Sequence, residues 1–184
     1  MNSLRNQFLI AMPSLCEGIF KTSVTYICEH NNDGAMGIIV NRPLDLSLSD
    51  IIDWEELDGD EAVGETPVFA GGPVGLERGF VLHQRGSADW QSTIQVTEEI
   101  AMTVSRDILA ALARGEGPEN FLIALGYAGW GAGQLEQELI DNVWLTAPAT
   151  ADILFKVDVH RKADAAAAQI GVDLNRVAAQ HGNA

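Results

Sequence analysis

The chain has 184 residues, 47% hydrophobic and 20% charged, enough for one globular domain with its own core. Eleven Lys and Arg stand against twenty-six Asp and Glu, a formal net charge of −15. That balance disfavours direct nucleic-acid binding and affinity for anionic membranes, because phosphate contacts come chiefly from Lys and Arg, and no apolar run is long enough to span a bilayer.

The first fifteen residues, MNSLRNQFLIAMPSL, hold one arginine and a short apolar run broken by Pro13. They read as a first strand, Gln7 to Met12, rather than a secretory signal, and the expected location is cytoplasmic. SVTYICE, Ser23 to Glu29, is β-rich. His30 to Gly34 reads as a turn and Met36 to Val40 as the returning strand, the clearest hairpin in the chain. Leu46 to Trp54 reads as a short helix capped by Ser47, and Asp53 to Gly64 as an acidic loop. Strands are expected at Pro67 to Ala70, Gly79 to Gln84 and Trp90 to Val96.

Thr97 looks like the cap of a long helix, Glu98 to Arg114, with Ile100, Val104, Ile108 and Leu112 as its buried stripe and Gly115 as its stop. Phe121 to Leu125 reads as a strand, Gly133 to Asp141 as a helix and Asn142 to Leu145 as another strand. Helical segments are expected at Ala149 to Phe155, Val159 to Ile170 and Asp173 to Gln180, the last two stopped by Gly171 and Gly182. Strand clusters mixed with helices, without regular βαβ alternation, indicate an α+β fold in a single domain over 1–184.

Cys16 and Cys28 read as small core thiols, with a redox pair as the alternative. Cys28 and His30 share one side of a strand, but no third and fourth ligand lies nearby, so no metal site is expected. No nucleophile elbow, zinc-binding helix or cofactor fingerprint is present.

GYAGWGAGQLEQEL, Gly126 to Leu139, has the layout of a phosphate loop: apolar run, glycine turn, helix. Its spacing argues otherwise, since Gln134 stands where the third glycine of G-x-G-x-x-G belongs. No Lys or Arg lies between Arg114 and Lys156, and Glu136, Glu138 and Asp141 follow. The favoured reading is a packing device that turns Tyr127 and Trp130 inward. The other reading is one wall of a pocket.

The same stretch, with FLIAMPSL, YICEHNNDGAMGIIVNRPLDLSL, VFAGGPV and RGFVLH, resembles the AlgH/YqgE family of bacterial proteins from about residue 7 to residue 175. The resemblance implies a mixed, mostly antiparallel sheet curved towards a partial barrel with helices around it. The family's activity is not established, and the transcriptional-regulator label of some members names a genetic role. Its motif positions fall on Asn41, Arg42 and Pro43, Gly71, Gly72 and Pro73, Phe80 and His83, and Gly126, Tyr127, Gly129, Trp130, Gly133, Gln134 and Glu136; none carries a transferable catalytic role.

Three segments, Asn41–Pro43, Gly71–Val74 and Gly126–Gln134, each follow a strand and are expected to converge. The candidate ligand-binding set is Asn41, Arg42, Gly71, Gly72, His83, Tyr127, Trp130 and Gln134, with Arg42, His83 and Trp130 sharing one pocket. The functional reading is a regulatory module acting through a small ligand or protein partner rather than on DNA. The alternative is a hydrolase-like enzyme around His83 and Arg42.

Overall fold

Alternation along the first strand sets the architecture. In β1 (Gln7–Ala11), Phe8 and Ile10 enter one core while Leu9 and Ala11 enter another, so both faces of the sheet are covered. In this computed structural model the described residues are 2–12, 18–52, 54–57 and 59–181. Cys16 and Gly182 lie outside them.

Strands β2 (Val24–Asn31) and β3 (Gly34–Ile39) form the expected hairpin, with Cys28 as the extra residue of a bulge. After β4 (Pro43–Ser47) come three single-turn helices, α1 (Leu48–Ile51), α2 (Trp54–Leu57) and α3 (Glu61–Gly64), two of them inside the expected acidic loop. Strands β5 (Pro67–Ala70), β6 (Val74–Gln84), β7 (Thr93–Gln95) and β8 (Ile100–Thr103) follow, then α4 (Arg106–Ala113), β9 (Phe121–Gly131), α5 (Gln134–Ile140) and β10 (Trp144–Pro148). The chain ends in α6 (Ala151–Phe155), α7 (Lys162–Ala168) and α8 (Leu174–His181).

The strand order is β10-β1-β2-β3-β9-β6-β8-β7, with β5 pairing β9 in parallel and β4 outside β5. The other pairings among the described residues are antiparallel. Ala147 of β10 and Phe8 of β1 share a core with Leu82 of β6 and Met102 of β8, strands far apart in this order. The sheet is therefore curled into a half-barrel, the α+β architecture the resemblance implies. Ile153 and Leu154 of α6 and Ala166 and Ala167 of α7 fill its interior. Outside, α5 covers β1, β2, β9 and β10, and α1 and α4 cover β5, β6 and β9.

Two expectations are overturned. The long helix from Glu98 is instead strand β8 followed by α4. Thr97 does cap, its hydroxyl accepting from the N–H groups of Glu99 and Ile100, but the turn it closes leads into a strand. Ile100 and Met102 then point to the interior in alternation, and Val104 is left exposed between strand and helix. The glycine stretch is likewise not a loop: β9 runs unbroken from Phe121 through Gly131.

Gly126 explains how one strand serves three cores. Before it, Leu122 and Ala124 face the interior; after it, Tyr127 does, while Ala128 and Trp130 face α5. Its φ of +74 reverses the side-chain parity. Tyr127 packs edge-on against Phe80, with ring centroids 5.7 Å apart. Tyr127 and Trp130 both pack, then, but on opposite faces of the sheet.

Candidate functional site

Asn41 and Arg42 pin a corner. The Asn41 carboxamide accepts from the Val24 N–H at 2.8 Å and donates to the Thr22 carbonyl at 3.0 Å, and Arg42 donates to the Lys21 carbonyl at 2.6 Å. The next segment joins them through backbone: Ala70 N–H donates to the Arg42 carbonyl and Ile39 N–H to the Gly71 carbonyl, each at 2.8 Å. Gly71 N–H donates to Leu125, also at 2.8 Å, and a Cβ on Gly72 would lie 2.1 Å from the Tyr127 carbonyl carbon. The three segments thus meet through main-chain contacts.

His83 sits elsewhere, opposite Phe121 at the start of β9, whereas Trp130 lies near its end. Nine residues of strand, on the order of 30 Å, separate the two positions. The shared pocket of Arg42, His83 and Trp130 is not assembled, because β9 carries the histidine's neighbour and the tryptophan at opposite ends.

The His83 Nδ1 lies 3.2 Å from the Gln84 carbonyl, and Nε2 shares a hydrogen bond of 2.8 Å with the Thr103 hydroxyl. Thr93 reaches the same hydroxyl at 2.7 Å, so this chain of bonds ties β6, β7 and β8 together. A hydroxyl on an imidazole is the start of a nucleophile–base pair. Here, however, His83 is 3% and Thr103 0% exposed, and among the described residues no carboxylate orients the ring. Burial pushes His83 below the ordinary histidine range.

Trp130 and Gln134 belong to a polar clamp that the sequence did not reveal. The indole N–H groups of Trp130 and Trp144 both donate to Glu138 Oε2, at 2.8 and 2.7 Å. Gln134 donates to Glu138 Oε1 and accepts from the Gly131 N–H, each at 3.0 Å. Two residues before Glu138, Glu136 meets His30: His30 Nδ1 accepts from the Leu4 N–H, so Nε2 carries the proton and donates to Glu136 at 2.7 Å. The Glu136 carboxyl is held below its usual range by its own backbone N–H and by His30. These acids fasten α5 to the sheet. The four-residue spacing of Gln134 and Glu138 was the available signal.

A cavity with room for a ligand lies on the outer face of β6 and β9, between α1–α2 and α4. It measures about 680 Å³. Val81, Ile123 and Leu125 floor it, Ile51, Ile52, Leu57 and Leu109 wall it, and Thr103 and Ser105 reach its margin. Asp50, Glu56, Glu77 and Arg106 stand on its rim. The Asp50 carboxyl is held below its usual range by the Ser47 N–H and hydroxyl. None of Asn41, Arg42, Gly71, Gly72, His83, Tyr127, Trp130 or Gln134 lines this cleft. Six separate elements, α1, α2, β6, β8, α4 and β9, build it, so no contiguous motif announces it. Among the described residues no group of three or more His, Cys, Asp or Glu could hold a metal ion, and Cys28 is a buried free thiol. No helix is long and apolar enough to cross a membrane, among the described residues.

A half-barrel filled by its C-terminal helices, with a glycine-kinked central strand and a cleft on its outer face, defines a class of small α+β proteins. The AlgH-like profile matches residues 8–175, and the chain belongs to that family. It is 54% identical over 183 residues to a UPF0301 protein of Thioalkalivibrio sulfidiphilus, covering 100% of this chain and 98% of that one. A UPF0301 protein of Hahella chejuensis is 50% identical over 184 residues, covering 100% and 98%. The solution structure of AlgH from Pseudomonas aeruginosa superposes with a TM-score of 0.80 at 46% identity, covering 100% and 97%. The crystal structure of protein DIP2367 from Corynebacterium diphtheriae shares the fold, with a TM-score of 0.72 at 20% identity over 97% and 92%.

Proposed function

We propose that this protein is a binding module, not a catalyst, that takes its small-molecule or protein partner in the cleft between β6, α1–α2 and α4. The observation that carries the reading is the cleft itself. Its volume of about 680 Å³ falls within the range of ligand pockets, roughly 300–1,000 Å³. Its lining sets apolar side chains, Ile51, Ile52, Leu57, Leu109 and Leu125, beside charged ones, Asp50, Glu56, Glu77, Arg78 and Arg106, so that both affinity and orientation have groups to act through. The hydrolase alternative finds its hydroxyl, Thr103, beside His83 at the cleft's margin, but both side chains are buried and His83 does not line the cleft, which speaks against substrate access. The formal charge of −15 favours such a partner over DNA as the route to any regulatory effect.

A fragment screen followed by two-dimensional NMR on the full chain tests this. Fragments that bind should perturb Ile51, Leu109, Ile123 and Leu125 together. Leu109→Trp, which fills the cleft from α4, should weaken those fragments by at least about tenfold with the rest of the spectrum retained. Perturbations centred on His83 or Trp130 instead, or none in the cleft, would overturn the reading.

A further inference from the structure

One buried imidazole joins two elements far apart in the chain. His30 stands near the end of β2, its side chain 1% exposed. Its Nδ1 accepts from the Leu4 N–H at 2.9 Å and its Nε2 donates to Glu136 of α5, so the lone pair and the proton of the neutral ring are both in use. Residues 3–6 form a strap ahead of β1. Ser3 donates to the His30 carbonyl at 3.2 Å, Leu4 packs at the margin of the α5 core, and Arg5 crosses to the carbonyls of Val96 and Gln95. Asn6 is the fixed end: its N–H donates to the Ile27 carbonyl at 2.9 Å, its carbonyl accepts from the Ala149 N–H at 3.1 Å, and its side chain accepts from the Tyr26 hydroxyl at 3.0 Å. Its φ of +62 puts a bend there, about which residues 3–5 can turn. Few charges surround the ring among the described residues. From α5 come Glu136 and Glu138, the latter occupied by Gln134 and two indoles. The strap brings Arg5, engaged with Val96 and Gln95. On β2 itself stand Glu29, which is exposed, and Cys28, whose pKa burial pushes up. Ala35 and Trp130, on the neighbouring strands, carry no charge.

We propose that His30 is a proton-operated latch on this strap: the neutral ring fastens the strap to α5, and the protonated ring keeps α5 but lets residues 3–5, and with them the Arg5 bridge, come loose. The second proton goes on Nδ1, where it meets the Leu4 N–H donor to donor, and that hydrogen bond is lost. At Nε2 the same event turns a hydrogen bond from a neutral ring into an imidazolium–carboxylate pair. The Glu136 carboxyl, held below its usual range by its own backbone N–H and by His30, stays ionised while a histidine titrates. Proton uptake therefore weakens one side of the ring and strengthens the other, and the strap lies on the weakened side.

The test titrates the full-length protein by NMR from about pH 8 to about pH 5, reading the ring nitrogens of His30, the Leu4 amide and amide exchange at Leu4 and Val96. At the alkaline end the ring should carry its proton on Nε2 alone. As it takes up the second proton, the Leu4 amide should lose its hydrogen-bonded shift. Exchange at Leu4 and Val96, corrected for the intrinsic effect of pH, should quicken about tenfold or more with the midpoint of the ring itself. The indole N–H signals of Trp130 and Trp144 should stay in place. Glu136→Gln keeps an acceptor for Nε2 but removes the counter-charge, so it should lower the midpoints of ring and strap together by about 0.5 pH unit or more. A strap that stays fixed while the ring titrates, a ring that stays neutral to about pH 5, or a strap transition that does not follow the ring in Glu136→Gln would each overturn the latch. Loss of the two indole signals in step with Leu4 would overturn it as well, because His30 would then be holding α5 rather than the strap alone.

Discussion

At Lys162 a charge lies in the core: the residue is 3% exposed, and its ammonium donates to the carbonyls of Val40 at 3.1 Å and Leu154 at 2.9 Å, above the Phe69 ring. Loss of water is only partly compensated, and burial lowers its pKa to about 8. An unfolded lysine keeps its proton to about 10.4. Between these values the unfolded chain binds more protons than the folded one, so this group's contribution to stability rises with pH. We expect the stability of the protein minus that of Lys162→Met to climb from about pH 8 to pH 10, by up to ~3 kcal/mol. Urea melts across that range check it, and a flat or falling difference would refute the assignment. Using the difference between two chains cancels Tyr26 and Cys28, whose raised pKa values act in the opposite direction. The sequence could not single out Lys162 or Glu138. Both look like ordinary surface charges on short helices, and only the tertiary contacts with Val40, Trp130 and Trp144 set them apart.

Among the elements, β9 shows where local reading succeeds and where it stops. A continuous apolar run marked Phe121 to Leu125 as a strand, and the glycines then read as a loop because isolated glycine weakens a strand. In the structure the partners' backbones take up the vacant space. A Cβ on Gly72 would meet backbone atoms of Tyr127 and Ala128 within 2.4 Å, and one on Gly126 would meet the Gly72 carbonyl at 2.6 Å. Contacts with main chain cannot be relieved by a rotamer change. Gly72→Ala is therefore expected to cost more than about 3 kcal/mol or to prevent folding, whereas Gly129→Ala, facing only the Tyr127 ring at 3.4 Å, should stay within about 1 kcal/mol of the parent. Chemical denaturation of the two variants decides the point: equal losses would show that the glycines serve flexibility rather than close approach. The helix expected from Glu98 failed for a related reason. Ile100, Val104, Ile108 and Leu112 recur every four residues, a period that fits one helix face, but Ile100 and Val104 also fit alternation with Met102, and pairing of β8 with β6 settles the competition.

Over the whole molecule, closure of the half-barrel depends on groups that no local pattern connects. Strand identities were largely legible from hydrophobic alternation. Their order was not, because β3 next to β9 and β10 next to β1 join segments about a hundred residues or more apart. The cleft was invisible for the same reason, being a product of which helices the curled sheet leaves side by side. One side chain spans the opening of the curl. Arg5, just before β1, donates from Nε to the Val96 carbonyl at 2.9 Å and from a terminal nitrogen to the Gln95 carbonyl. It thereby joins the second strand at one end of the sheet to the edge strand β7 at the other. Val96 is buried in the interior core, so the bond sits where the two ends of the sheet meet. Charged hydrogen bonds of this kind contribute about 1.5–3 kcal/mol each before the cost of ordering the side chain. Arg5→Ala should therefore lower stability by about 1–3 kcal/mol, with amide exchange quickening first in β7 and at Val96 rather than across β2 and β3. Arg5→Lys, lacking the planar fork that reaches two carbonyls, should recover less than half of the loss. A variant within about 0.5 kcal/mol of the parent, with β7 protection unchanged, would mean that core packing alone holds the curl closed.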